Sequence, residues 1–171
     1  MSIEGEIVIG RPVEEVFDFV ADERNEPTFN PRMLRAEKVT DGPIGTGTRF
    51  VATMKSMGRT FDLTIEFTDY ERPTRLGSTS AMSSADTRGA LIFEPHPDGT
   101  RMRWSWDVQP RGLSRLLAPL IHWMGTRQER VVWESLKQHL EAGPRTVGGR
   151  RTSRATGTDS PPAAEPGRAR Q

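Results

Sequence analysis

Within residues 59–69, polar and apolar side chains alternate strictly from Thr60 to Phe67. The apolar members are Phe61, Leu63, Ile65 and Phe67, and the polar residues between and before them are Thr60, Asp62, Thr64 and Glu66. Successive side chains of a β-strand point to opposite faces, so this period of two predicts a strand that is buried on one face. A strand of this kind is stable only beside other strands and under a hydrophobic cover. The chain must therefore build a sheet and cover one side of it.

Several other stretches are typical of short strands separated by turns. The predicted strands cover residues 3–9, 35–40, 48–55, 59–69, 72–79, 87–94 and 101–108. Turn sequences such as Asp41-Gly42-Pro43, Met57-Gly58 and Pro97-Asp98-Gly99 separate several of them. Parallel strands require crossover connections of a dozen or more residues, whereas most of these connections are shorter. The pattern predicts an antiparallel sheet of about seven strands.

Two short helices are predicted after the first strand. The first begins near Pro12, which suits the first helical position, and its apolar residues have helical spacing: Val13, Val16, Phe17 and Val20. The second falls in residues 22–31, where two prolines and two asparagines indicate a turn or a short helix. Phe29 is the expected apolar anchor of this segment.

A long helix is predicted over residues 111–141, and it is the expected cover of the sheet. One apolar stripe consists of Leu113, Leu116, Leu117, Leu120 and Met124; after a polar patch it continues with Val132, Leu136 and Leu140. Pro119 predicts a kink, or a break between a short segment over about 113–118 and a longer one from about Leu120. Gly143 and Pro144 end the helix. Many strands followed by one covering helix define an α+β domain.

Composition excludes several classes of protein. The chain has no cysteine, so it forms no disulfide and has no thiolate nucleophile or cysteine zinc ligand. Its three histidines are scattered without the spacing of a metal site, and we expect neither a metal nor another cofactor. No apolar run reaches the roughly 18 residues of a membrane span, so we expect a cytoplasmic protein without integral membrane association.

Charge separates the C-terminal tail from the rest of the chain. Residues 142–171 contain six arginines against Asp159 and Glu165, a charge of +4, so the +1 total leaves −3 on residues 1–141. We therefore expect no nucleic-acid binding by the domain. The tail is rich in arginine, proline and glycine, which predicts a domain over 1–143 and a disordered tail over 144–171. The tail offers a weak site for an acidic partner at most, and an interaction module acting through it is a third functional hypothesis.

Several stretches occur in the order typical of a known family. They are PVEEVFDFVAD at 12–22, GTGTRF at 45–50, FEP at 93–95, DGTR at 98–101 and the closing helix. Over residues 3–141 the chain resembles the START-like, Bet v 1-like (SRPBCC) superfamily, in particular its polyketide cyclase/dehydrase and lipid-transport group. The resemblance implies a helix-grip fold, in which a curved sheet wraps around the long helix and leaves a cavity. It also implies binding of an apolar or amphipathic small molecule, although the family has no shared catalytic motif to transfer.

Apolar side chains on the inner faces are the predicted ligand contacts. They are Phe29, Phe50, Phe61, Leu63, Ile65, Phe67, Trp104, Trp106, Leu120, Trp123 and Met124. Aromatic and aliphatic walls are typical of small-molecule pockets, but the same residues equally suit a filled core. Phe29 is placed where it gates the cavity mouth or merely anchors a loop.

His122 is the single candidate for acid or base catalysis, because imidazole titrates near neutral pH. A histidine beside a buried helix face also suits a core or edge position with one hydrogen bond. The first functional hypothesis is therefore binding or transport of a small hydrophobic molecule, such as a lipid or a polyketide. The alternative is an enzyme of the polyketide cyclase or dehydratase type that uses the same cavity.

Overall fold

The computed structural model describes residues 2–56, 58–82, 85–112 and 118–143, with the side chains of residues 118–125 excepted. The elements are β1 (Ser2–Ile9), α1 (Val13–Val20), a 3₁₀ helix (Glu23–Thr28), β2 (Met33–Lys38), β3 (Arg49–Ser56), β4 (Arg59–Glu71), β5 (Arg75–Ala81), β6 (Ala85–His96), β7 (Gly99–Pro110) and α2 (Ala118–Ala142). No helix in these ranges is long and apolar enough to cross a membrane.

All seven strands form one antiparallel sheet in the order β1-β7-β6-β5-β4-β3-β2. From β2 to β7, neighbours in the sheet are also neighbours in the chain, as short turns require. The exception is β1, which pairs with β7 and aligns Ile3 with Trp106. The prediction of an α+β helix-grip fold with about seven antiparallel strands is confirmed.

The concave face of the sheet carries the core, as the alternating pattern predicted. On β3 and β4 the side chains of Phe50, Leu63, Ile65 and Phe67 are buried. Helix α1 packs on the same core through Phe17, whose ring meets the rings of Tyr70 and Phe93 edge-on, with centroid separations of 5.3 Å and 5.2 Å. These contacts fix α1 against β4 and β6.

The C-terminal half of α2 covers the sheet with a stripe of four buried residues: Val132, Trp133, Leu136 and Leu140. Arg11 forms hydrogen bonds to the C-terminal end of this helix. The guanidinium is 3% exposed; Nε donates to the carbonyl of Leu140 at 2.7 Å, and Nη2 donates to the carbonyl of Gly143. The last carbonyls of a helix have no intrahelical donor, so Arg11 satisfies two groups that burial would otherwise leave unpaired.

Two further contacts join the end of α2 to β1 and the residue after it. The N–H of Gly10 donates to Glu141 Oε1, and Lys137 Nζ donates to the carbonyl of Val8, both at 2.7 Å. The C-terminal end of α2 is therefore attached to β1, which closes the domain.

The structure shifts several predicted boundaries. Helix α2 is described from Ala118, which places Pro119 in its first described turn. Of the short segment predicted over about 113–118, residues 113–117 lie outside the described residues. Strand β6 is longer than predicted and leaves only Pro97 and Asp98 as the loop to β7. Strand β5 begins three residues later than predicted, because Arg72 and Pro73 form part of a turn.

Candidate ligand-binding cavity

A cavity of about 310 Å³ lies between the concave face of the sheet, the 3₁₀ helix and α2. Every strand contributes to its described walls, and apolar side chains predominate: Ile3, Met33, Met54, Phe61, Leu63, Ile65, Leu76, Leu91, Trp106, Val108, Val132 and Trp133. Phe19, Val20 and Phe29 close it on the side of the small helices. The space has the apolar lining expected of a small-molecule site.

Five of the predicted contact residues lie on this cavity: Phe29, Phe61, Leu63, Ile65 and Trp106. Phe50, Phe67 and Trp104 share the concave face but lie in the core beside it. The rings of Phe50 and Phe67 pack on each other at 5.5 Å, and Trp104 packs on Trp133 at 5.9 Å. The side chains of Leu120, His122, Trp123 and Met124 lie outside the described part of α2.

Two glycines set the positions of the tryptophans on β7. Gly89 is opposite Trp106 across the β6–β7 pair, and Gly5 is opposite Trp104 across the β1–β7 pair. A Cβ at Gly89 would lie 2.6 Å from Trp106 Cε3, and one at Gly5 would lie 2.3 Å from Trp104 Cζ2. Both indoles therefore lie close against the backbone of the neighbouring strand, where a side chain would displace them.

Glu129 of α2 is the polar centre of the cavity. Its Oε2 accepts hydrogen bonds from Trp106 Nε1 at 3.1 Å and from Trp133 Nε1 at 3.0 Å. Burial, with a smaller contribution from the negative charge of Glu26, raises the pKa of Glu129 to about 7 against the opposing effect of the two indole N–H groups. At neutral pH this carboxyl therefore exchanges between its protonated and ionised forms.

Two more carboxyl groups reach the cavity from the 3₁₀ helix. Burial and the neighbouring Glu26 raise the pKa of Glu23 well above its ordinary value. Glu26 is held by the buried Asn30, whose Nδ2 donates to Glu26 Oε1 at 2.6 Å. On the same lining, Arg32 donates to Ser56 Oγ at 2.7 Å. The cavity is thus apolar along the sheet and polar toward the 3₁₀ helix and α2.

Sequence reasoning missed Glu23, Glu26, Glu129 and Trp133. A signal for Glu129 was present, since it precedes Val132 by three residues and Trp133 by four, which places it on the buried face of α2. It belongs to the polar patch that interrupts the apolar stripe of this helix. No comparable signal identifies Glu23 and Glu26, because their helix is short and lacks an apolar period.

Replacing Glu129 by glutamine should reduce the loss of stability at high pH. Folding raises the pKa of this carboxyl from about 4.5 to about 7, so the folded state holds the proton more tightly, and the free energy of unfolding falls as pH rises through this window. Between pH 5 and pH 8 the wild type should lose about 2 kcal/mol more than Glu129→Gln. Urea denaturation at both pH values measures the difference, with the exposed Glu134→Gln on the same helix as the control. A pH-independent difference between wild type and Glu129→Gln would contradict the assignment.

Solved structures with this fold cover nearly all of the described chain. The protein TTHA0849 from Thermus thermophilus has a TM-score of 0.72 at 18% identity, covering 83% of this chain and 98% of that one. A START superfamily protein from Mycobacterium smegmatis has a TM-score of 0.67 at 13% identity, covering 82% and 97%. The di-domain ARO/CYC BexL from the BE-7585A biosynthetic pathway has a TM-score of 0.70 at 16% identity, covering 84% of this chain and 51% of that one. At these identities the likeness establishes the fold.

No functionally curated protein matches the sequence. The model of one protein family, described as polyketide cyclase/dehydrase and lipid transport, matches residues 1–141. This match spans β1 to the last turn of α2 and includes every residue that lines the cavity. The chain belongs to the polyketide cyclase/dehydrase and lipid-transport family.

Proposed function

We propose that the protein binds and carries a small, mainly apolar molecule in the cavity between the sheet and α2. The observation that carries this proposal is a space of about 310 Å³ with walls of aliphatic and aromatic side chains from all seven strands. Transfer of apolar surface from water to such walls contributes about 25 cal/mol per Å². Membership of a family described by lipid transport as well as by cyclisation supports the same conclusion.

The comparisons do not favour a cyclase or dehydratase over a carrier. Catalysis of those reactions requires a positioned acid or base within hydrogen-bond reach of the substrate. His122 was the predicted group, and its side chain lies outside the described residues. Glu129 is a described alternative, because it lines the cavity and has a pKa of about 7. Carriage remains the better-supported function, and proton transfer by Glu129 is the form that an enzymatic alternative would take.

A cavity-filling substitution tests the site directly. Ser78 of β5 lines the cavity, and the next residue, Thr79, points to the other face of the sheet. We expect Ser78→Phe to weaken binding of the neutral dye Nile red at least tenfold, because the added ring occupies ligand space. Thr79→Phe is the matched control and should bind within about twofold of wild type. Fluorescence titration measures the affinity, and circular dichroism establishes that both variants are folded.

Two results would refute ligand binding at this site. One is the absence of saturable Nile red binding by the wild type. The other is an equal loss of affinity in Ser78→Phe and Thr79→Phe, which would place the dye elsewhere on the protein.

We further propose that residues 1–143 form the binding domain and that residues 144–171 are an accessory tail. The family match ends at residue 141, which agrees with this division. The arginines of the tail suit weak association with an acidic partner. A cytoplasmic location is proposed on the absence of cysteine and of an apolar run long enough to span a membrane.

A further inference from the structure

The carboxyl groups of the cavity have no positively charged partner in the part of the chain that the structure describes. Glu23, Glu26 and Glu129 form no ion pair among the described residues. The charged group that acts on Glu129 is Glu26, and those that act on Glu23 are Glu26 and Asp22, all of them acidic. Buried charges in proteins are ordinarily paired, because an isolated buried carboxylate is costly to desolvate.

The basic side chains on the cavity lining do not supply that partner. Arg32 donates through Nη2 to Ser56 Oγ at 2.7 Å and through Nε to the carbonyl of Lys55 at 3.4 Å. Lys55 lies beside Arg32 on the lining and forms no ion pair with the three carboxyls among the described residues. The cavity therefore has an acidic side, formed by the 3₁₀ helix and α2, and a basic edge at the end of β3.

Glu129 presents a free oxygen to this space. Both indole N–H groups donate to Oε2, and Oε1 has no hydrogen-bond partner in the described part of the chain. The residue is partly buried and lines the cavity, so Oε1 is available to a bound molecule. The two tryptophans fix the direction of the carboxyl, which reduces the entropy lost when a ligand pairs with it.

The missing positive charge does not suit a metal ion. The described residues contain no group of three or more His, Cys, Asp and Glu side chains arranged to hold one. Aromatic rings line the same space, namely Phe61, Trp106 and Trp133. Ring faces attract organic cations, and aliphatic walls accommodate an apolar body. The lining as a whole therefore matches a molecule with a positive head and an apolar chain or ring.

We propose that this cavity selects amphiphiles that carry a protonated amine, with the ammonium group paired to Glu129 Oε1 and the apolar body packed along the sheet. The inference rests on the proposed function and adds the chemical class of the ligand. An ammonium group offers three N–H donors, enough to reach Glu129 and Glu26 together if both lie at its end of the cavity. Pairing with a cation also offsets part of the cost of burying an ionised carboxylate.

Three ligands that differ only in the head group test this proposal. Decylamine, decanol and decanoate are titrated by isothermal calorimetry into the full chain at about pH 8, below their critical micelle concentrations. We expect decylamine to bind at least tenfold more tightly than decanol, and decanoate to bind most weakly. Glu129→Gln should remove most of the preference for decylamine over decanol. Glu134→Gln on the exposed face of α2 is the control and should retain the preference.

Each other result overturns the inference in a distinguishable way. Equal affinities for decylamine and decanol would exclude head-group selection and leave hydrophobic binding intact. Tightest binding of decanoate would assign recognition to Arg32 and Lys55. A preference for decylamine that persists in Glu129→Gln would exclude Glu129 as its partner. Failure of all three ligands to bind, together with failure of Nile red, would refute the proposed function itself.

Discussion

Replacement of Phe17 by alanine should lower the free energy of unfolding by about 4 kcal/mol, in the middle of the range for buried aromatic truncations. The side chain is fully buried, and its ring packs edge-on against both Tyr70 and Phe93. Its removal leaves a void between α1 and the sheet that the rigid strands cannot close. The alanine variant also loses aromatic contacts worth about 0.5–1.5 kcal/mol each.

Phe61→Ala is the matched control for this truncation, because Phe61 borders the cavity and is only partly buried. It should cost less than half as much as Phe17→Ala, while weakening binding of an apolar ligand. Urea denaturation monitored by tryptophan fluorescence measures the free energy of unfolding of both variants. Equal costs for the two variants would contradict the view that the core is tightly packed around α1 and open around the cavity.

Arg11→Met should destabilise the protein by about 3 kcal/mol. Methionine retains the apolar stem of the arginine but leaves the carbonyls of Leu140 and Gly143 without the donors that Arg11 provides. A buried polar group without a partner costs about 1–3 kcal/mol. Because α2 forms one wall of the cavity, loosening of its end should also weaken ligand binding.

The matched control for Arg11→Met is Arg24→Met. Arg24 is exposed and pairs with Asp22 at 2.7 Å, a contact of a kind that contributes at most about 1 kcal/mol. Differential scanning calorimetry compares the two variants with wild type. A melting temperature for Arg11→Met as high as that for Arg24→Met would show that the buried guanidinium does not hold the helix end.

The elements with a strong period were predictable from the chain alone. The alternation over Phe61–Phe67 predicted both strand β4 and its buried face, and the spacing of Val13, Val16, Phe17 and Val20 predicted α1 and its core contacts. In both cases the period is set by side chains that lie close together in the sequence. The strand ends were less exact, because pairing with a neighbouring strand extends or shortens an element. Strand β6 shows this, since its pairing with β7 continues to His96.

The polar part of the cavity was not predictable in the same way. Glu23 and Glu26 appear in the sequence as ordinary surface residues of a turn-rich segment, and Glu129 appears within a charged stretch of the last helix. Their mutual influence arises because the 3₁₀ helix and α2, about a hundred residues apart in the chain, approach the same cavity. Burial and like charge then raise the pKa of Glu23 and of Glu129, and neither factor exists before the chain has folded.

The sequence by itself determined the number and faces of most strands, the antiparallel arrangement that short turns require, and the helix that covers them. These properties follow from local periodicity and chain connectivity, which a linear pattern records. Only the tertiary structure decided which buried side chains border a cavity and which fill the core, as Phe61 and Phe67 on one strand illustrate. It also decided that Trp106 and Trp133 would meet at Glu129, because that meeting depends on how the helix lies across the sheet.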